Sequence, residues 1–229
     1  MPPTFQKIEP ISKKARIVSS MREAIISGAI KSGEQIVEGK LAQELGVGQG
    51  LVREALIELE HQGFVQRTPF SGTQVTELTL QDAQQIYDLR IELEPLAFFL
   101  AGPNAHGQHL AELKAMAENA TIASKAGDLT AFFENHLAFR KKVWALSGNR
   151  FLQQTLERVV IPLYALYVIR QSYNLEGILQ TTIDCTEHQD RILTAYEQKS
   201  FEEARETARY FLIRMKEYLG TRLPPASTA

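Results

Sequence analysis

From Thr79 to about Leu219 the sequence offers nothing that looks like a strand. A half-buried strand shows apolar residues at every second position, an amphipathic helix at a spacing of about 3.6. Only the helical spacing recurs there. The exception lies earlier, where FVQR (64–67) and GTQV (72–75) read as two short strands around the hairpin Thr68-Pro69-Phe70-Ser71. The fold class that follows is mainly α, with one small hairpin and a long helical remainder. The change of texture puts a domain boundary near 76–79, with an N-terminal domain over 1–76 and a C-terminal one over 77–229. A chain of 229 residues is long for one helical domain and comfortable for two.

Before the hairpin, residues 12–28 read as a helix whose stripe is Ile17, Met21, Ala24 and Ile25, with Gly28 as its stop. KSGEQI (31–36) reads as a turn. EGKLAQEL (38–45) predicts a short helix ended by Gly46. QGLVREALIELEHQ (49–62) predicts a second, ended by Gly63, with Leu51, Ala55, Leu56 and Leu59 as its apolar stripe. Two short helices joined by Gly46-Val47-Gly48, after a longer helix and before a tight hairpin, form a winged helix-turn-helix pattern. In such modules the second short helix enters the major groove, about 12 Å wide, and the wing reaches the backbone or minor groove. Residues 1–22 carry Lys7, Lys13, Lys14, Arg16 and Arg22 against Glu9 alone. That excess suits phosphate contact and equally suits a solvated helix face. The net charge of −2 excludes a uniformly basic nucleic-acid coat.

In the C-terminal domain Thr79 with Asp82 forms a capping signal for a long helix. Breaks at Gly102-Pro103-Asn104, Gly127-Asp128, Ser147-Gly148-Asn149, 172–177 and Lys199-Ser200 divide the rest into helices over 80–101, 106–126, 128–147, 150–171, 177–198 and 201–218. Pro95 and Pro162 fall inside two of them and predict a kink or an interruption. The most apolar run, VVIPLYALYVI (159–169), is far short of the ~20 residues a membrane span needs, so no membrane partner is expected. The N-terminus lacks the apolar core of a signal peptide, and a single cysteine, Cys185, allows neither an internal disulfide nor a thiolate metal cluster. Both point to a cytoplasmic protein.

The stretch from Ile25 to Val75 resembles the DNA-binding domain of the GntR family of bacterial regulators. The landmarks are Ile26-Ser27-Gly28, Ser32-Gly33-Glu34, Leu41-Ala42, Leu45-Gly46-Val47, Val52-Arg53-Glu54-Ala55-Leu56, Leu59, Gly63-Phe64-Val65, Gly72 and Val75. Where the family has Ser-Arg-Thr-Pro, this chain has Gly48-Gln49-Gly50-Leu51, losing a serine cap worth ~1 kcal/mol. The lost arginine is a base- and phosphate-contacting position in the family. Gln49 in its place could pair with adenine, where arginine prefers guanine. The resemblance implies operator contacts from Arg22, Gln49, Gly50 and Arg53, with Gly72 shaping the wing. The competing role for Arg53 is an ion pair with a neighbouring carboxylate.

The helical half resembles the FCD ligand-binding domain of the FadR branch of that family, through LTLQDAQQIYDLRIELEPLA (78–97), HLAFRKKVWALSGNRFL (136–152), EHQDRILTA (187–195) and FEEARETARYFL (201–212). Six helices put it nearer the shorter, VanR-like version. Many FCD domains hold a divalent metal through one aspartate and three histidines. Aligned on Ser147-Gly148-Asn149, this chain has His136 for the aspartate, Arg140 for the first histidine, His188 retained as the second and Phe211 for the third. Three of four ligands are replaced and a guanidinium stands among the rest, so no metal or other cofactor is expected. Arginine with histidines suits an anion instead. Arg90, His136, Arg140 and His188 are therefore expected to line a pocket for a small organic acid, with Tyr87, Tyr164 and Tyr167 as walls or hydroxyl donors. The bland roles are an Arg90–Glu94 pair at i,i+4, a packed His136 and a solvated Arg140-Lys141-Lys142 face. Phe132, Phe133, Phe139 and Trp144 read as core or dimer packing.

The expected function is that of a transcription regulator, in sense a repressor. A homodimer would read an inverted-repeat operator on double-stranded DNA, and a carboxylate effector would set its affinity. A metal-responsive regulator using His136 and His188 is the alternative. An enzyme with either histidine as general base is a further one, but no catalytic constellation supports it: Cys185 lies three residues before His188 without a nucleophile's surroundings.

Overall fold

A computed structural model describes residues 12–26, 29–68, 72–170 and 175–222, and their side chains except over 165–170, 175–181 and 220–222. Gly28, Pro69-Phe70-Ser71 of the hairpin, Lys7, Glu9, the residues 171–174 at the break before 177 and the side chain of Tyr167 lie outside that description. The chain divides into two compact units between Thr76 and Glu77.

In the first unit α1 (Lys13–Ile26) buries Ile17, Val18, Met21 and Ile25 against α3 (Gln49–His61), which returns Val52, Ala55, Leu56 and Leu59. Between them runs α2 (Glu38–Leu45). The tight α2–α3 turn rests on Gly46, which takes a left-handed φ of 63° that glycine adopts without strain. Gly48 caps α3 from extended backbone with no side-chain bond, as the missing serine implies.

Strands β2 (Val65–Thr68) and β3 (Gly72–Val75) form the predicted hairpin, in antiparallel register from Val65↔Val75 to Thr68↔Gly72. The turn expected over 31–36 needs correction. Its last two residues form β1 (Gln35–Ile36), which pairs with β3 and completes a sheet of order β1-β3-β2. Two residues are too few to display alternation, and only β3 supplies their partners, Gln35 opposite Gln74 and Ile36 opposite Thr73; just before them Gly33 N donates to Val75 O at 3.1 Å and Val75 N to Glu34 O at 2.9 Å. The buried Thr76 Oγ1 donates to Gly63 O at 2.6 Å, fastening the wing's last strand to the end of α3.

The second unit comprises α4 (Leu80–Ala101), α5 (Gly107–Ala126), α6 (Leu129–Leu146), α7 (Arg150–Arg170), α8 (Leu175–Glu197) and α9 (Phe201–Arg222). The Thr79–Asp82 capping box forms in full: Thr79 N donates to Asp82 Oδ2 at 2.8 Å, and Asp82 N to Thr79 Oγ1 at 3.1 Å. α4 and α7 continue through Pro95 and Pro162, so neither proline interrupts its helix. α4 packs on α9, α7 and α6; α8 packs on α5 and α9. Fully buried Ala97, Ala101, Ala204 and Ala208 let α4 and α9 approach closely, and Phe98, Leu113, Phe139, Val143 and Ile192 fill the space between the layers. Trp144 is core, fully buried.

α4 ends in a short 3₁₀ turn over Gly102–Asn104. A Cβ built on Gly102 would lie 2.3 Å from the Phe201 ring, although the backbone there (φ −50°, ψ −50°) is one any residue adopts. Backbone preference alone would favour alanine at this site. The clash predicts the opposite sign: Gly102→Ala should lower stability by about 1–2 kcal/mol in urea denaturation.

Candidate functional site

Helix spacing and burial converge in the middle of the second unit. On α4, Tyr87, Arg90 and Glu94 stand at i, i+3 and i+7 and share one face. α6 contributes His136 and Arg140, one turn apart, and α8 contributes Cys185 and His188. Tyr164 of α7 and Phe211 of α9 close the walls. The structure thus brings together Arg90, His136, Arg140 and His188, all of them at most 4% exposed. The basic run beginning at Arg140 is not a solvated face at its first member.

Glu94 organises this cluster. Its Oε2 accepts from Arg90 Nε at 3.1 Å and from Arg140 Nη1 at 3.0 Å. The Arg90–Glu94 pair at i,i+4 therefore exists, but as part of a buried triad spanning α4 and α6. Arg140 Nε donates to His136 Nε2 at 3.2 Å, which makes that nitrogen an acceptor and leaves the ring proton on Nδ1. The Arg140 guanidinium lies 5.7 Å from the Phe98 ring centre and 5.5 Å from that of Phe211. Phe211 stacks on His188 at 4.2 Å, while His136 lies between Phe132 and Tyr164. Seven buried polar atoms here have no partner at hydrogen-bonding geometry: Glu94 Oε1, Arg140 Nη2, His136 Nδ1, both nitrogens of His188, and both the oxygen and the nitrogen of the Gln189 amide beside His136.

Burial lowers the pKa of both histidines well below the ordinary value, and the Arg140 charge adds to the effect. Both rings are neutral at pH 7. Burial works against charge on Arg140, but the groups around it, Glu94 foremost, together outweigh burial and hold the guanidinium above its usual pKa. The cluster therefore carries two positive charges against one negative. Burial pushes the Cys185 thiol up to about 12, so no reactive thiolate stands beside His188. An open cleft between α8 and α9, lined by Glu187, Arg191, Thr207 and Arg214, ends on His188 and Phe211.

Sequence reasoning missed Glu94 as a site residue, seeing it only as a local partner of Arg90. Its sharing with Arg140, 46 positions later, has no sequence signal. Phe98 had none either, being one of many apolar positions on α4.

The first unit presents a second candidate surface on α3. Gln49 and Gly50 are exposed, and a Cβ on Gly50 would meet nothing within 4 Å. Arg53 is 58% exposed but tied to Glu38 of α2, with Nη2 at 2.8 Å and Nε at 3.0 Å from Oε2. Arg67 of β2 reaches the other oxygen of Glu38 at 3.7 Å. The carboxylate partner weighed for Arg53 is thus real. Arg22 differs from its expected role: it is half-buried, donates to Gln62 Oε1 at 2.7 Å and lies over the Phe64 ring, bracing α1 against the end of α3. Gly72 opens β3 with a φ of 86°, a conformation that requires glycine in practice.

A winged helix-turn-helix unit followed by a helical unit with a buried charged cluster defines a DNA-binding regulator of the ligand-sensing kind. The comparisons with known proteins specify it further. Residues 13–75 match "Bacterial regulatory proteins, gntR family" and residues 85–214 match the FCD domain. The chain belongs to the GntR family of transcriptional regulators, with an FCD domain as its C-terminal half, and is not an enzyme. It is similar to the uncharacterized regulator YdhC of Bacillus subtilis, 31% identical over 156 residues covering 68% of this chain and 70% of YdhC. It is also similar to the regulator McbR of Escherichia coli, 28% identical over 157 residues, covering 69% and 71%. The gluconate operon transcriptional repressor of Bacillus licheniformis is 30% identical over 132 residues, covering 58% and 54%. The solved structure of E. coli McbR/YncC shares the fold at a TM-score of 0.69 and 23% identity, covering 93% of this chain and 99% of that one. Among the described residues no helix is long and apolar enough to cross a membrane.

The neutral histidines set a pH dependence. Below about pH 6.5 the unfolded chain binds protons at His136 and His188 that the folded chain refuses, so stability falls as pH falls. Each contributes up to about 1.4 kcal/mol per pH unit. Glu58, Asp82 and Glu112, whose pKa values are lowered by side-chain hydrogen bonds from Gln62, Thr79 and Lys142 respectively, lose their contributions only below about pH 4.5. Urea denaturation from pH 6.5 down to about 5 should show this loss, and His188→Phe should reduce its slope.

Proposed function

We propose that this regulator is a repressor that binds an inverted-repeat operator as a homodimer and whose operator affinity is set by a small organic carboxylate held in the FCD unit. The observation that carries the reading is the buried cluster itself. Two guanidinium groups share one carboxylate oxygen, both nearby imidazoles are neutral, and several donors lack partners. A buried excess charge is costly unless compensated. A carboxylate supplies both the compensating charge and acceptors for Arg140 Nη2 and the His136 Nδ1 proton. The cleft that ends on His188 and Phe211 is the route of entry. The repressor sense is supported by the name of the B. licheniformis relative.

The residues do not fit a divalent metal, the group many FCD domains carry. Arg140 stands in the ligand set as a cation, and its Nε already occupies the Nε2 lone pair of His136. Elemental analysis of purified protein is expected to find no stoichiometric zinc, nickel or manganese.

On the DNA side, Arg53, Gln49 and Gly50 of α3 face the operator, Gly72 shapes the wing, and Arg22 braces α3 from behind. Glu38 holds Arg53 and Arg67 at a fixed height and competes with phosphate for them. Coupling of the two units follows ordinary linkage: the effector favours one arrangement of the dimer and so shifts operator affinity.

Two measurements test this. Carboxylates should raise the melting temperature of the wild type. Arg140→Ala leaves Arg90 and Glu94 as a neutral pair, so its cost is that of a large-to-small core substitution, about 2–5 kcal/mol, and it should abolish that increase. Arg140→Lys, which keeps the charge, should fold and still lose most of it. In a salt series on operator DNA, Arg53→Ala should weaken binding and flatten the log–log slope by about 0.9 per arginine, whereas Glu38→Gln should tighten binding.

A further inference from the structure

Helix propensity favours alanine over glycine at an ordinary helical position. Gly39 lies in the first turn of α2 without a positive φ, so its backbone asks for no glycine. What asks for it is space. A Cβ built on Gly39 would lie 2.9 Å from Gln49 Nε2 and 3.9 Å from Gln49 Cδ, although the two residues stand on different helices. The Gln49 amide therefore rests on the bare backbone of α2. Glycines also flank Gln49 in the chain. Gly48 caps α3 and Gly50 follows in its first turn, and a Cβ on either would meet nothing within 4 Å. Gln49 thus rises alone between two bare positions at the start of α3, with α2 beside it. Arg53 stands one turn further on the same face and is held by Glu38, the neighbour of Gly39 in α2. The first turn of α2 sets the pose of both side chains, Glu38 by an ion pair and Gly39 by leaving room.

We infer that Gly39 is a positioning residue that determines operator specificity: its missing side chain seats the Gln49 amide against α2, in the pose from which Gln49 reads one base pair of each half-site. The inference rests on the reading of α3 as the helix that faces the operator.

The effect works through restricted rotation. A glutamine side chain free in solvent must give up rotamer freedom to hold a bidentate contact with a base edge. Contact with α2 removes part of that freedom beforehand. A methyl group at position 39 cannot coexist with the amide where it lies. The amide is the far end of a flexible side chain, so it swings away at little cost to the fold, and its aim at the base is lost. Gly39→Ala therefore separates stability from readout: helix propensity favours the variant and the operator does not.

The test starts from duplex DNA selected from a randomised pool by the full-length wild type. Each base pair of the half-site is then replaced in turn. Affinities are measured at one salt concentration for the wild type, Gly39→Ala, Gln49→Ala and the double variant. Ratios between duplexes cancel any change in the folded fraction. Gln49→Ala should lose about tenfold discrimination at one position of the half-site, the scale of a single bidentate base contact. Gly39→Ala should lose most of that discrimination at the same position, keep it elsewhere, and show a urea midpoint no lower than that of the wild type. The double variant should read that position as Gln49→Ala alone does, because the two residues act as one. Unchanged discrimination in Gly39→Ala, a loss spread evenly over the half-site, or a further loss in the double variant overturns the role of Gly39 and leaves the reading of α3 standing. If Gln49→Ala discriminates as the wild type does, or if the pool yields no preferred half-site, both fall.

Discussion

A single carboxylate oxygen, Glu94 Oε2, accepts hydrogen bonds from two buried arginines on different helices, and the rest of the sensor unit is arranged around that fact. Removing three charged groups from water costs several kcal/mol per ion, and their mutual attraction repays this only with good geometry and further hydrogen bonds. Here the repayment is incomplete. Both guanidinium groups lean on one oxygen while the other oxygen faces no donor, and one positive charge remains over. Replacing a buried charged triad by well-packed aliphatic residues is often neutral or stabilising, so stability alone does not call for these three charges. The charges are walled by Phe98, Phe132, Phe211 and Tyr164, and it is this incomplete repayment on which the proposed effector site rests.

The surrounding packing deepens that shortfall. Fully buried alanines on α4 and α9 close the helices on one another, and the cluster side chains themselves are at most 4% exposed. That burial drives the histidines to their neutral forms, so they offer hydrogen-bonding atoms rather than charges. It also disposes of nucleophilic chemistry at Cys185, whose thiol is far from ionising at neutral pH. Desolvation is thus one cause with two consequences: neutral imidazoles and an inert thiol.

In the DNA-binding unit the balance is reversed, because its charges stay in water. Arg53 and Arg67 share Glu38 at the surface, where an ion pair is worth little and is easily exchanged for phosphate. The pair restricts where the guanidinium groups start from without committing them. A buried partner such as Gln62 acts otherwise on Arg22, which serves the packing of α1 on α3.

The sequence alone was enough for the two modules, the positions of nearly all their helices, the hairpin and the Thr79 cap. All of these depend on contacts within a few residues: helical period, turn glycines, one side chain reaching three positions on. It also brought Arg90, His136, Arg140 and His188 into one candidate set through their resemblance to a family site. Tertiary structure alone decided three things. Gln35 and Ile36 became a strand because β3 lay beside them. Arg53 met Glu38 across the helix turn. Glu94 changed from a local partner of Arg90 into the centre of the site, because Arg140 arrives from 46 residues away. The reason is common to all three. Period and capping are written along the chain, whereas the sharing of one oxygen by two distant arginines, and the loss of water that gives it force, exist only once the helices have packed.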